Sequence, residues 1–363
     1  MRVVANSEHG DWAKPTIRTR PNPVCLLCGS QGAVLYGQMV DARFQVLGQW
    51  TVKRCLNPRC RLLWLDPQPH EEDLLLAYET YPTHVTGLST VEPKPLTGLW
   101  LFLDRVNRYI NAGYIAGRWG YDPFRTNRIQ KLVGTLGYLR LFSRTTLDRS
   151  IMFLPSNPGG RLLEIGCGSG WMLHTLQNGG WTVTGIDFDP AAVASARTLG
   201  VKDVSANSLE NCEYPDNTFD AVVMSHVIEH LYDPEGTLRE CARILKPNGT
   251  IIVATPNTCS LGHRIFRQSW IHIHPPQHLY LFRPELLQEM AQRCGFSEIK
   301  VFTGLSWAEF AYAGSLAIRR TGRSGEPNIR SRRWARFLAR AVRMGLIIAP
   351  RLGEECVLAA TVK

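Results

Sequence analysis

The chain has 363 residues, 44% of them hydrophobic and 20% charged, with a formal charge of +10. Such a length and apolar content allow two domains with full-sized cores and exclude a disordered or low-complexity chain. The stretch from Met1 to Asp11 lacks the apolar centre of a secretory signal, and the longest apolar runs are short, Gly98 to Leu103 being stopped by Asp104 and Arg105. A cytoplasmic protein is expected.

Residues 1–23 are polar, carry Pro15, Pro21 and Pro23, and read as a flexible tail. A ribbon-like module is expected over residues 24–80. It holds Cys25 and Cys28, then Cys55 and Cys60, two short thiol pairs separated by 26 residues. Each pair can sit on its own turn and offer two thiolates to a tetrahedral Zn²⁺, a closed, structural site. Gly29 can take the strained backbone after the first pair, Asn57-Pro58 turns the second, and Val46 to Lys53 reads as a ribbon strand. The other six cysteines are scattered, which argues against a disulfide framework. A short helix is expected from Glu71 to Tyr78.

Residues 81–158 form a basic helical region. Residues 99–150 carry nine Arg or Lys against three Asp, and residues 319–343 carry nine Arg against one Glu, so the remainder of the chain is net acidic. Charge placed this way suggests an anionic partner, whether membrane surface, phosphorylated substrate or nucleic acid; a solvated charged face is the plainer reading. Leu99, Phe102, Val106, Tyr109 and Ile110 share one helical face, with Arg105 and Arg108 off it. That stripe is expected to be core packing, with a place in the lipid headgroup layer as the alternative. Tyr121 to Phe124 breaks the helix, and a second segment runs over 127–141.

The stretch over 161–187 organises the rest. Leu162 to Ile165 reads as a buried strand, Trp171 to Gln177 as an amphipathic helix, and a second strand ends on Asp187. Between the first strand and the helix lie Gly166, Gly168 and Gly170, a sharp turn that lets a ligand approach without a Cβ in the way. The spacing is Gly-x-Gly-x-Gly, and Trp171 stands where a dinucleotide fingerprint needs its last glycine. Glu164 would repel a pyrophosphate and suits a ligand with a cationic end.

With these residues the stretch resembles the class I S-adenosylmethionine (SAM)-dependent methyltransferases, whose signature is an acid followed by such a glycine loop. The resemblance continues through Gly185-Ile186-Asp187, Tyr214 to Met224, Ser225 to His230, and Leu245 to Thr250, and covers residues 159–304 plus a closing strand over 354–363. It implies an α/β, Rossmann-like sheet, mostly parallel with an antiparallel last strand, carrying a small N-terminal zinc ribbon and helical insertions, of which residues 305–353 are the second. It also implies cofactor contacts from Glu164, Gly166, Gly168 and Gly170, ribose binding by Asp187 with Phe188 beside the adenine, Ser208 and Leu209 on the adenine side, and Ser225 and His226 toward the methionine. A cysteine ribbon and a Pro-x-Pro turn before such a core resemble methyltransferases of bacterial surface-polysaccharide and secondary-metabolite pathways, which suggests that the front module covers the acceptor side.

Methyl transfer from a sulfonium is an in-line displacement, for which one histidine near neutral pKa suffices as base. His272, His274 and His278 lie in the long connection over 256–283, which lines the acceptor pocket in related methyltransferases. A metal-binding reading of the three is weakened by two intervening prolines and by the lack of a neighbouring carboxylate. His278 is the first candidate base, then His274, His230 and Glu229. The insertion over 305–353 is expected to complete an acceptor cover near the helices of 99–150. The expected activity is SAM-dependent methyl transfer to a glycan, sugar nucleotide or lipid-linked anionic intermediate, with peripheral contact at the inner face of the membrane. RNA methylation and a non-catalytic binding role are the alternatives. Oxygen, nitrogen and carbon acceptors share this cofactor half, and oligomeric state leaves no mark in the sequence.

Overall fold

The computed structural model describes residues 17–74, 97–122, 126–139, 144–325, 329–345 and 349–363. The front module holds β1 (Thr19–Arg20), β2 (Gly32–Met39), β3 (Trp50–Cys55), β4 (Leu63–Leu65), β5 (Gln68–Pro69) and α1 (Glu71–Leu74). The rest of the helix expected to Tyr78 lies outside the described residues, as do residues 1–16 of the expected tail. Residues 17–23 are not free: β1 pairs with β5, and Arg18 grips Asp73 through Nε and Nη2 at 2.8 and 2.7 Å.

The expected strand over Val46 to Lys53 begins only at Trp50. The cause is Asp41, a buried carboxylate that accepts from the backbone N–H of Arg43, Phe44 and Val46 at 2.8, 3.1 and 3.1 Å and so fixes those residues as a loop.

Helices α2 (Gly98–Trp119), α3 (Arg128–Gly134), α4 (Leu136–Leu139) and α5 (Arg144–Ser150) follow. The segment expected over 127–141 is broken at Thr135, and residues 140 and 141 lie outside the described residues. The core-packing expectation for the α2 stripe holds only in its second half. Ile110 and Tyr114 are buried, but Leu99 is 69% exposed and Phe102 62%. Gly113 and Gly134 let α2 and α3 approach so closely that a Cβ on Gly113 would stand 2.1 Å from the Gln130 carbonyl. That crossing lies in the second half of α2, where Ile110 and Tyr114 are buried.

The remaining elements are β6 (Arg161–Ile165), α6 (Trp171–Asn178), β7 (Thr182–Asp187), α7 (Pro190–Thr198), β8 (Val204–Ala206), β9 (Phe219–Ser225), α8 (Pro234–Ile244), β10 (Leu245–Pro256), α9 (Leu261–Phe266), β11 (Tyr280–Leu281), α10 (Pro284–Arg293), β12 (Phe296–Gly304), α11 (Ala308–Thr321), α12 (Ile329–Gly345) and β13 (Glu355–Val362). Seven strands run in the order β12-β13-β10-β9-β6-β7-β8, parallel except for β13, which is antiparallel to both neighbours. This is the mostly parallel Rossmann-like sheet with an antiparallel last strand.

Alternating side chains of the strands feed two cores on opposite faces. Leu163, Val222 and Ile251 join one, with α8, α10 and the ribbon residues Trp50 and Trp64; Leu162, Val223 and Ile252 join the other, with Leu173 and Trp181. Ala335 and Ala339 of α12 belong to the first core and Tyr121 and Ile151 to the second, so the two basic insertions pack on opposite faces. The expectation that they adjoin is corrected by that placement.

Strand β11, from the long connection, pairs with β4 and completes the four-stranded ribbon sheet β11-β4-β3-β2. Through that pairing the ribbon is continuous with the core.

Candidate active site

The site gathers beyond the carboxyl ends of β6, β7, β9 and β10, where ligands of doubly wound sheets bind. Parallel pairing sets Glu164 beside Gly185 and Ile165 beside Ile186, so the glycine turn faces the end of β7. The glycines do different work. Gly166 and Gly170 allow close packing, since Cβ atoms there would stand 2.4 Å from Val227 and 2.5 Å from Ala196. Gly168, at φ +50, has nothing within 4 Å of a Cβ and leaves the open approach for a ligand.

Asp187 is buried and accepts from Gly168 N at 2.8 Å and Asp189 N at 3.0 Å, which ties the turn to the second strand. Burial raises its carboxyl above the usual range. Glu164 is 3% exposed, and its Oε2 has no hydrogen-bond partner among the described residues. Burial, reinforced by Asp187 and opposed by Arg149, pushes its carboxyl up to about 8. A buried carboxylate in this state fits a ligand that brings its own positive charge and donors. Phe188 stands 46% exposed next to Asp187, Leu209 is buried, and Asn207 N donates to the Asp187 carbonyl at 2.9 Å, with Ser208 exposed just beyond.

Ser225 ends β9, and its Oγ accepts from Arg149 Nη2 at 2.6 Å. His226 follows in a left-handed conformation (φ 56°), with Nδ1 3.2 Å from Glu229 and Nε2 3.7 Å from Glu355. Burial opposes charge on His226, yet Glu229 and Glu355 together lift it to about 9. Burial alone would raise Glu355, but Arg149 and His226 hold it at about 2. Thr255 donates to the other Glu229 oxygen at 2.8 Å. Two cations and two carboxylates thus compensate one another beside the glycine turn.

Sequence reasoning missed Arg149, Glu355 and Thr255. The one signal was the acid pair Glu354-Glu355 entering an apolar strand, and both prove buried. Glu354 accepts from Trp270 Nε1 at 2.9 Å and Gly262 N at 2.8 Å, anchoring the long connection.

His230 Nδ1 lies 2.8 Å from the Gln277 carbonyl and His278 Nδ1 2.7 Å from the His272 carbonyl. Each carbonyl fixes the proton on Nδ1 and leaves Nε2 as acceptor. Burial lowers both histidines, so both are neutral bases near pH 7. The rings of His230 and His278 meet edge-on at 4.7 Å, and His278 meets His274 at 5.1 Å. Glu229, His230 and His278 bring ligand atoms within 4.8 Å of one another. The sequence offered His272, His274 and His278 without a carboxylate; the fold supplies Glu229 from another element and leaves His272 and His274 outside that set.

In the front module the Cys25, Cys28, Cys55 and Cys60 sulfurs all lie within 4.8 Å, with Cys25 to Cys60 at 3.6 Å and Cys28 to Cys55 at 3.4 Å. Tetrahedral zinc with Zn–S bonds of about 2.3 Å needs sulfurs about 3.8 Å apart, so the donor set fits such an ion. The two turns repeat each other. Cys25 N donates to the Ser30 carbonyl and Cys55 N to the Leu62 carbonyl, both at 2.9 Å, while Gly29 (φ 66°) and Arg61 (φ 55°) follow the second thiol of each pair in the same left-handed conformation.

The sheet order and the cleft at its carboxyl edge define a nucleotide-cofactor α/β domain, and residues 139–301 match the family model described as a methyltransferase domain. The chain therefore carries a class I SAM-dependent methyltransferase domain. It is 32% identical over 155 residues to a Mycolicibacterium smegmatis protein named "probable S-adenosylmethionine-dependent methyltransferase", covering 42% of this chain and 58% of that one. It is 34% identical over 127 residues to the ubiquinone biosynthesis O-methyltransferase of Bradyrhizobium diazoefficiens, covering 34% of this chain and 50% of the other. The chain thus spans about half the length of the curated relatives it matches. A solved SAM-dependent methyltransferase of Thermotoga maritima superposes with a TM-score of 0.41 at 23% identity, covering 64% of this chain and 97% of that one.

Proposed function

We propose that this protein transfers a methyl group from SAM to an anionic acceptor of a bacterial biosynthetic pathway, a glycan, sugar nucleotide or lipid-linked intermediate. The observation that carries the cofactor half is the pairing of a buried Glu164, whose Oε2 has no hydrogen-bond partner among the described residues, with the open approach at Gly168 and the ribose-type acid Asp187. When bound, SAM supplies an electrophilic methyl on a sulfonium. Asp187 would hold the ribose hydroxyls, Phe188 and Leu209 the adenine, and Glu164 the ammonium end, with Arg149, Ser225 and His226 beside it.

His278 or His230 would take the proton of the acceptor at Nε2 as the acceptor attacks, since each is neutral, buried and fixed in the accepting tautomer. Glu229 is held ionised and would steady the charge that forms on the histidine. The ribbon would hold structural Zn²⁺ through its four thiols and brace the acceptor side through β4 and β11. A calorimetric titration tests the cofactor half: one site for SAM and none for NAD is expected, and NAD binding without SAM binding would overturn it.

A further inference from the structure

Helix α12 carries six arginines and no acid, and no step of methyl transfer uses them. Its inner side is made of small residues, Ala335, Ala339 and Val342, which dock into the first core. On the opposite side Phe337 stands 71% exposed, with Arg333 one turn before it and Arg340 one turn after it on the same face. Arg330 and Arg336 flank that row, and all four arginines are exposed. Among the described residues none of the four makes an ion pair.

A row of guanidinium groups without carboxylates repels a second copy of the same helix, which would set arginine against arginine. It matches a layer of phosphates, each of which a planar guanidinium can grip with two parallel hydrogen bonds. The exposed ring at the centre of the row suits the boundary between lipid headgroups and acyl chains. A single-stranded nucleic acid would instead call for a basic groove with successive rings to stack on. Here one ring projects from a helix face, while Trp334 packs edge-on against Phe266 of α9 at 6.1 Å. On its other side the insertion leads to the site. Helix α12 packs on α11, where Ser315 Oγ accepts from Ile271 N at 3.0 Å and Gly314 admits the Ile271 side chain, which a Cβ there would meet at 2.4 Å. Ile271 opens the histidine run of the long connection, so one helix separates the basic row from that connection.

We propose that the outer face of α12 is a docking surface for an anionic lipid bilayer, with Arg330, Arg333, Arg336 and Arg340 on headgroup phosphates and Phe337 in the interfacial layer. The proposal rests on the lipid-linked branch of the methyl-acceptor reading. It gives the insertion a use in that reaction, since docking through α12 holds the histidine connection beside the layer from which such an acceptor comes.

Sedimentation of the full-length protein, without SAM, with vesicles of equal parts phosphatidylglycerol and phosphatidylcholine tests the surface, beside vesicles of phosphatidylcholine alone and immobilised polyuridine RNA. The anionic vesicles should bind at low salt, and binding should fall about 100-fold or more at about 1 M salt, where the screening length is about 3 Å. Combining Arg333→Gln with Arg340→Gln should weaken vesicle binding about 30-fold, and Phe337→Ala about 10-fold. Both proteins should keep the unfolding temperature and SAM affinity of the wild type, because the changed side chains face outward. No sedimentation with the anionic vesicles, equal binding to phosphatidylcholine alone, or equal binding by wild type and double variant would overturn the proposal. Tighter binding to the RNA through the same arginines would also overturn it, in favour of a nucleic acid. Should the double variant fail to fold, Phe337→Ala and the salt series decide. Vesicle binding without SAM binding in the wild type would instead sink the methyltransferase reading and leave the lipid surface standing.

Discussion

Glu164→Gln separates the cost of a buried carboxylate from its use. In the ligand-free protein burial sets the Glu164 carboxyl at about 8, against about 4.3 in an unfolded chain. A pKa raised on folding contributes stability that is fully present below the unfolded value and is lost as pH rises through the folded one. Over that window each pH unit removes up to about 1.4 kcal/mol. Between about pH 5 and about pH 8 the wild type should therefore lose about 4 kcal/mol relative to Glu164→Gln, whose amide does not titrate. The comparison cancels the histidines, which titrate alike in both proteins. Urea unfolding of the two ligand-free proteins across that range measures the difference. At the alkaline end the order reverses for binding: the variant should hold SAM about 10- to 100-fold more weakly, having lost a charge-assisted contact to its ammonium end. Parallel stability profiles, or equal SAM affinity, would refute the role given to Glu164.

Asp187→Ala removes the acceptor of the Gly168 and Asp189 N–H groups together with the ribose contact, and calorimetry should show SAM affinity reduced about 100-fold or more; unchanged affinity contradicts the cofactor assignment. Metal analysis after dialysis should find about one zinc per chain, and Cys60→Ser should lower both the zinc content and the unfolding temperature; less than about half an equivalent in the wild type argues against the site. His278→Ala should cut turnover about 100-fold or more with SAM affinity unchanged, and unaltered turnover removes it from the mechanism in favour of His230.

The cofactor half was legible because its constraints are local. A turn that must admit a ligand needs Gly168, and a strand that ends at the cleft shows its acid, Asp187, at a fixed offset. The thiol pairs were legible for the same reason, since each pair closes its own short turn. Arg149 and Glu355 were not legible, because they meet only after α5 and β13 have docked from opposite ends of the sequence. Glu229 was read as a candidate; its pairing with His226 is a local contact three residues apart, but its nearness to His278 depends on the connection folding back. Strand β11 escaped notice because two residues carry no periodicity; only pairing with β4 makes them a strand. The α2 stripe has the period of a buried face, yet periodicity records which residues align and not whether a partner arrives. Leu99 and Phe102 align with Ile110 and remain exposed.

The most direct measurement is transfer of labelled methyl from SAM into a lysate of the source cell, fractionated into RNA, lipid extract and water-soluble glycans and nucleotide sugars, with wild type and Asp187→Ala in parallel. The account predicts label in the lipid or water-soluble pool with the wild type and its loss with the variant. Label in RNase-sensitive material would contradict the acceptor class, and label in no fraction with either protein would contradict methyl transfer itself.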